Sequence, residues 1–338
     1  MTESGTQLKA APVNGTPVEG IVKRQASVIT WVASRGIFIF TGVLLVFSVI
    51  FVNGFASSVN IIDVFHRASA IGIVAIGMTF VVISANYIDL SVVAQVATAG
   101  VILLALSPTY GVLGAMAIAL FFALLYGVVN GVSVGFLKAN AVVVTLGTTG
   151  IGAGILSLLT TGTIYYGPEN GPIDAFGDAR VGPFPLSAFV LILVAVIASI
   201  VLSRTKFGFM IRSYGSNKQA TRLAGVNSGG VVVGAFVLTS IAAMIAGFVL
   251  AAYSNTAVAT MSEGFDFRAL AAVIIGGNSL FGGRGSILRT FLGVIFISVL
   301  SNILVLSGFS FAWQQLVTGA VIVFAVALDA LARKAEKR

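Results

Sequence analysis

The chain has 338 residues, of which 58% are hydrophobic and only 9% are charged. Soluble globular domains carry about 25% charged residues, so this composition excludes a water-covered globular protein and indicates an integral membrane protein. The chain has no cysteine and one histidine, His66, which excludes thiol nucleophiles, cysteine-ligated metals and a multi-histidine metal site. The net charge of +8 fits either nucleic acid binding or basic residues held on one side of a membrane.

Ten apolar segments are candidates for membrane-spanning helices, which need about 20 residues each. The polar N-terminal residues lack the apolar core of a signal peptide. The eighth segment is short and ends in glycines, so we expect it to be partial or broken. The sequence predicts an all-α polytopic membrane protein with one transmembrane domain at 31–332, a polar tail at 1–30 and a basic tail at 333–338. The segments are Gly36–Val52, Ala68–Ser84, Leu90–Leu106, Gly111–Val134, Ala141–Thr160, Leu186–Leu202, Gly230–Tyr253, Phe267–Leu280, Ile287–Leu306 and Ala312–Leu331.

Charged residues are distributed unequally between the two sides that ten spans define. With the N-terminus inside, 16 of the 19 basic residues fall on the inside, and only Arg67, Arg180 and Arg268 fall outside. This is the positive-inside pattern, which explains the net charge without nucleic acid and predicts that both termini are cytoplasmic. The acids on outside segments are Asp63, Glu169, Asp174, Asp178, Glu263 and Asp266.

Asp89 is the one acidic residue inside the apolar stretch that runs from Ala68 to Leu106. A charge at the centre of a membrane helix costs about 2.5–3.5 kcal/mol on insertion scales. Two interpretations stay open: Asp89 has a functional role in the membrane, or it caps the third span. Most other polar residues at depth are expected to join helices. The predicted substrate pathway consists of Asn86, Tyr87, Asp89, Ser91, Gln95, Thr145, Thr148 and Asn278.

The inside loop Ser203–Gly229 is basic. Its stretch Ser216–Leu223 predicts a short helix with Ser216 or Asn217 as the cap and Gly225 at its end. Such a helix is either a solvated connector or a docking element for a soluble partner, because arginine and aromatic residues are favoured at interfaces. The predicted docking residues are Arg212, Tyr214, Asn217, Ala220, Arg222, Leu223 and Gly225.

A glycine-rich stretch, Ile274–Thr290, resembles a phosphate-binding loop only superficially. The chain contains no Gly-Lys pair, which excludes a P-loop. A tight cytoplasmic turn with close packing is the favoured interpretation. No pattern in the sequence indicates a catalytic constellation, so we expect neither an enzyme nor a bound metal.

Several motifs in order resemble the permease subunits of bacterial carbohydrate ABC importers of the ribose, xylose and galactose type. The resemblance extends from Ile61 to Asp329. It is carried by Gly77–Ser91 (GMTFVVISANYIDLS), Asn130–Gly131, Val144–Thr148 (VTLGT), Arg212–Val226 (RSYGSNKQATRLAGV), Leu270–Gly293 (LAAVIIGGNSLFGGRGSILRTFLG) and Trp313–Asp329 (WQQLVTGAVIVFAVALD).

The resemblance implies a multi-pass protein of the bacterial inner membrane that works by alternating access in a dimer of permease subunits. It also implies cytoplasmic ATP-binding subunits that hold ATP and Mg²⁺ and dock on Arg212–Val226, and a periplasmic or lipoprotein sugar-binding protein. This chain would itself bind no cofactor. Where the family usually has G-G-I-D-L-S-V-G, this chain has Ala85-Asn86-Tyr87-Ile88-Asp89-Leu90-Ser91-Val92-Val93. The added bulk and hydrogen-bonding groups are compatible with a monosaccharide or a related polyol as substrate.

Two other classes of protein stay open on composition. An ion-coupled secondary transporter or channel for a small polar solute is expected to show acids or histidine at the bilayer midplane, where Asp89 is the one good candidate. A structural membrane scaffold is the other.

Overall fold

The structure, a computed structural model, describes residues 37–85 and 87–336, and for Ala85 and residues 328–336 it describes the backbone alone. The predicted tail at 1–30 and the pathway residue Asn86 therefore lie outside the described residues. The helices are, in chain order, α1 (Ile37–Phe51), α2 (Ser58–Ala85), α3 (Val92–Gly135), α4 (Ala141–Thr160), α5 (Pro172–Asp178), α6 (Leu186–Arg204), α7 (Lys206–Ser216), α8 (Lys218–Leu223), α9 (Ser228–Ser254), α10 (Phe265–Ile275), α11 (Ile287–Leu306) and α12 (Phe311–Glu336).

Four two-residue strands add two small antiparallel ladders to the predicted all-α fold. They are β1 (Tyr165–Tyr166), β2 (Arg180–Val181), β3 (Phe184–Pro185) and β4 (Thr256–Ala257). β1 pairs with β4, and β2 pairs with β3. α5, β1, β2 and β3 give regular structure to the long connection between α4 and α6, and β4 joins it from the connection after α9.

Six of the described helices are long and apolar enough to cross a membrane, namely α2, α3, α4, α6, α9 and α11. α1 and the Phe311–Ala327 part of α12 are apolar but shorter. The predicted third and fourth segments are joined in α3. The predicted eighth segment is the eleven-residue α10, which ends before Gly276 and Gly277. The chain is thus a multi-pass helical membrane protein with fewer separate long helices than the ten predicted spans. α12 extends to Glu336, so its backbone includes the first residues of the predicted C-terminal tail.

Gly111 reverses the direction of α3. The helix counts 44 residues, which would measure about 66 Å if it were straight, twice the thickness of a hydrocarbon core. However, Gly111 has a φ of 70° and a ψ of 166°, outside the helical region. The Asn130 side chain donates a hydrogen bond of 2.8 Å to Ser91 Oγ, and these two residues are nearly equidistant from Gly111 along the chain. Residues 92–110 and 112–135 are therefore two antiparallel arms.

Gly111→Ala is expected to destabilise the fold by about 1–3 kcal/mol, because that backbone conformation is essentially restricted to glycine. An added Cβ at Gly111 meets nothing within 4 Å, so backbone strain alone would act. Thermal unfolding of the purified protein in detergent measures the effect. Gly154→Ala is the matched control, since Gly154 is helical and also has open space around it. An equal loss in both variants would contradict the reversal at Gly111.

Small residues let the central helices approach closely. A Cβ added to Gly127 or Gly131 would lie 2.6 or 2.5 Å from the Cα atoms of Val237 and Val233, so the second arm of α3 packs backbone to backbone against α9. Such small-residue contacts are typical of membrane helices. α2 is the most completely buried of the spanning helices, whereas α4 and α6 leave most of their residues uncovered. The latter two therefore present apolar faces to lipid or to another subunit.

The two ends of the bundle carry opposite charges. At one end, the Gly283 amide donates a hydrogen bond to Ile83 O, which brings the α10–α11 turn to the end of α2. This basic end also holds Lys138, Lys206, Arg212, Lys218, Arg222 and Arg289. At the other end, the Tyr253 hydroxyl donates to Asp63 and Gly177 of α5 packs on the last turn of α9. This acidic end also holds Asp174 and Asp178. The separation matches the sequence-based assignment of the charged residues to two sides.

Candidate functional site

The chain between α2 and α3 is not helical at residues 87–89, although it lies inside the bundle. Backbone groups in such a place need partners within the protein. Thr145 and Thr149 of α4 supply two of them, because their hydroxyls donate to Ile88 O at 3.4 Å and to Leu90 O at 3.0 Å. We call residues 87–91 the break segment. One face of α4 thus holds this segment in place.

A chain of side-chain hydrogen bonds leads from the break segment to α4. Ser91 Oγ donates to Asp89 Oδ1 at 2.5 Å and accepts from the amides of Gln95 at 2.6 Å and Asn130 at 2.8 Å. Asn130 Oδ1 in turn accepts from the Thr148 hydroxyl at 2.9 Å. The network joins both arms of α3 to α4. Only Thr148, at its far end, is partly exposed.

Asp89 is fully buried, with no exposed surface. Its Oδ1 accepts the Ser91 backbone amide at 2.9 Å, so it closes the turn that leads into α3, while Ser91 occupies the capping position itself. Asp89 Oδ2 and Gln95 Oε1 have no hydrogen-bond partner among the described residues. The geometry supports the structural interpretation of Asp89 and leaves one carboxylate oxygen unused.

Asn278, the last member of the predicted pathway, lies in a different network. Its amide donates to Val273 O and to Thr290 Oγ1, both at 2.8 Å, and its Oδ1 accepts from the Ser286 amide at 2.7 Å. Asn278 therefore closes the glycine-rich turn between α10 and α11. Gly277, Gly282 and Gly283 adopt positive φ values there, as the tight-turn interpretation requires.

The basic loop forms two helices, α7 and α8. The Asn217 side chain accepts the Ala220 amide at 2.9 Å and so caps α8, and Gly225 follows the helix with a φ of 79°. The predicted helix and both of its ends are confirmed. We call α7 and α8 together the basic platform. Its exposed side includes Ala220, Arg222 and Leu223, and Leu223 is 87% exposed.

Not every predicted docking residue faces outward. Tyr214 is only 3% exposed and belongs to the hydrophobic core, so it supports the platform from the inside. Arg212 is partly exposed. Gly215 lies so close to Ile83 and Gly283 that any side chain at this position would collide with their backbone. The basic platform is therefore firmly attached to the end of α2.

Three further residues have contacts that the sequence did not predict: Asn130 and Thr149 were among the polar residues at depth, most of which were expected to join helices, and His66 had no assigned role. Asn130 and Thr149 complete the network of the break segment. The signal in the sequence that points to Asn130 is its distance from Gly111 along the chain, which nearly equals that of Ser91. His66 stacks on Tyr253 with a centroid distance of 4.3 Å, and its Nδ1 lies 3.0 Å from Ser187 Oγ. This contact joins α2, α6 and α9 at the acidic end.

Comparisons with known proteins show which family this chain is similar to. The family model described as "Branched-chain amino acid transport system / permease component" matches residues 60–326. The chain is 30% identical over 279 residues to the ribose import permease protein RbsC of Haemophilus influenzae, which covers 81% of this chain and 86% of that protein. It is 31% identical over 276 residues to the autoinducer 2 import system permease protein LsrC of Salmonella typhimurium, with coverages of 81% and 79%. No solved structure gives a significant match.

Proposed function

The chain belongs to the family of permease components of branched-chain amino acid transport systems, and from this premise we propose that it is the membrane-spanning subunit of an ATP-driven importer. Its substrate is a monosaccharide or a related polyol, which the names of the ribose and autoinducer 2 permeases support. It acts in the bacterial inner membrane by alternating access. A separate cytoplasmic subunit binds ATP and Mg²⁺, and a periplasmic or lipoprotein binding protein delivers the solute.

We further propose ten membrane passes with both termini in the cytoplasm. The two arms of α3 count as two passes, and α1, α10 and α12 add shorter ones to the remaining long helices. Residues 31–332 then form one transmembrane domain between cytoplasmic tails at 1–30 and 333–338. The concentration of Lys138, Arg212, Arg222 and Arg289 at the basic end supports a cytoplasmic position for that end.

The basic platform is the observation that carries this proposal. It presents Arg212, Ala220, Arg222 and Leu223 at the basic end, and it is attached to α2 through the contact of Gly215 with Ile83 and Gly283. A platform that is both exposed and firmly connected to a central helix is suited to receive force from a docked ATP-binding subunit. Tyr214, Asn217 and Gly225 give the platform its shape.

The solute pathway, in this proposal, runs beside α4. Leu146, Ile151 and Ile155 are exposed on this helix, so a second permease copy can complete the pathway. Thr148 is the partly exposed end of the break-segment network, and we infer that it meets the solute. Asp89, Ser91, Gln95 and Thr145 form the wall behind it, and Tyr87 precedes this wall in the break segment.

Reconstitution tests the proposal directly. The permease is placed in proteoliposomes with its ATP-binding and binding-protein partners, and uptake of labelled ribose and other sugars and polyols is measured. We expect uptake that requires ATP and the binding protein together. Uptake that an ion gradient drives without ATP would overturn the proposal and favour a secondary transporter.

A further inference from the structure

Lys218, the first residue of α8, reaches from the basic platform to the break segment. Its ammonium nitrogen lies 4.9 Å from the ring centroid of Tyr87 and 5.9 Å from that of Tyr214. Both distances are within the range of cation–π attraction. Tyr87 is the first residue of the break segment, and Tyr214 belongs to α7. Lys218 therefore links the platform to the chain between α2 and α3, in addition to the direct side-chain contact between Tyr87 and Tyr214.

Tyr87 stands at a position where the carbohydrate permeases that this sequence resembles usually have a glycine. A glycine offers no ring to an ammonium group, so the bulky residue creates a contact that the usual sequence lacks. The Tyr87 side chain is half-buried and Lys218 is exposed. Tyr214 is buried beneath them, which gives the ammonium group a fixed aromatic floor.

A displacement of Tyr87 has a short route to α4. Ile88 and Leu90, the neighbours of Tyr87 and Asp89 in the break segment, are hydrogen-bonded to Thr145 and Thr149 through their carbonyl oxygens. Residues 87–91 are consecutive and two of their carbonyl oxygens are held by α4, so a shift of Tyr87 is passed along the backbone to these two hydrogen bonds. A moving break segment would pull α4, and in the proposed function the solute passes beside α4.

We propose that the contact of Lys218 with Tyr87 transmits movement of the docked ATP-binding subunit from the basic platform through the break segment to α4. This inference rests on the proposed function. It makes Lys218 and Tyr87 positioning residues for transport, and it gives Tyr87 a role different from contact with the solute. The competing explanation is that the two residues act independently. In that case Tyr87 contacts the solute and Lys218 contacts the ATP-binding subunit.

A double-mutant cycle separates the two explanations, with solute transported per ATP hydrolysed as the readout in the reconstituted complex. Tyr87→Leu and Lys218→Met are each expected to lower this ratio about fivefold, as the loss of one cation–π contact would. The double variant is expected to be no worse than either single variant, because both remove the same contact. Losses that multiply in the double variant would overturn the proposal.

Conservative variants and the concentration dependence complete the test. Tyr87→Phe keeps the ring and Lys218→Arg keeps the charge, so both are expected to retain the ratio of the unaltered protein. Tyr87→Leu is expected to leave the solute concentration at half-maximal uptake unchanged, whereas a solute contact would raise it. A changed half-maximal concentration, or a ratio unaffected by Tyr87→Leu and Lys218→Met, would count against the link. Absence of ATP-dependent uptake in the unaltered complex would instead refute the proposed function itself.

Discussion

Leu223→Asp is expected to weaken binding of the ATP-binding subunit to the permease at least tenfold, a change of about 1.4 kcal/mol or more. Leu223 is 87% exposed at the end of α8 and stands beside Arg222 on the outward side of the basic platform. In the proposed docked complex, we expect its side chain to be buried against the ATP-binding subunit. Aspartate removes that apolar contact and places a charge where water is excluded. Transport is expected to fall with binding, because the docked subunit drives it in the proposed function.

Co-purification of the two subunits and titration of the ATP-binding subunit in detergent measure this loss. Leu223→Lys is expected to act in the same direction, since apolar burial is what both variants remove. Val181→Asp is the control, because Val181 is also exposed and apolar but lies in β2, at the acidic end. If Leu223→Asp and Val181→Asp bind the ATP-binding subunit equally well, the basic platform is not the docking surface.

Asp89→Ala is expected to reduce ATP-driven uptake at least tenfold, whereas Asp89→Asn is expected to retain most of it. Alanine leaves the amide and hydroxyl of Ser91 without their buried acceptor, at a cost of about 1–3 kcal/mol. Asparagine keeps the accepting Oδ1. Its amide nitrogen replaces Oδ2, which has no hydrogen-bond partner among the described residues, so no existing contact is lost. The shape and hydrogen bonding of this side chain matter, in this view, more than its charge.

Uptake assays on both variants, with the amount of inserted protein measured by immunoblot, decide the matter. Thr148→Val tests the far end of the network and is expected to alter solute affinity without loss of inserted protein. An Asp89→Asn variant as inactive as Asp89→Ala would show that the charge itself is required. A fully active Asp89→Ala variant would remove Asp89 from the transport mechanism.

Local signals in the sequence located the elements that depend on local chemistry. The short helix α8 was predicted with its cap and its end, because Asn217 accepts an amide three residues on and Gly225 adopts a left-handed conformation. Both features are properties of four or five neighbouring residues. The glycine-rich turn after α10 was predicted for the same reason. The apolar segments and the distribution of charge between the two sides could be predicted from the sequence, because the membrane constrains the composition of each segment separately.

Contacts between distant segments were beyond the reach of these signals. Tyr214 has an aromatic ring and a polar tip suited to an interface, but the packing of α7 on α2 buries it. Asn278 is polar at depth like Asn130, yet the fold assigns them to different networks. The sequence predicted Leu90–Leu106 and Gly111–Val134 as two separate spans. However, the hydrogen bond between Ser91 and Asn130, which joins the two arms, could not be predicted from them.

The reversal at Gly111 also fixes a length that the chain has to keep. Asn130 lies 19 residues after Gly111, and an α-helix turns about 100° with each residue. One residue inserted into the second arm would rotate Asn130 away from Ser91, or else turn Gly131 and Gly135 away from α9. The fold therefore tolerates substitutions in this arm more readily than insertions or deletions. We expect the number of residues in the arm to be as constrained as any of its side chains.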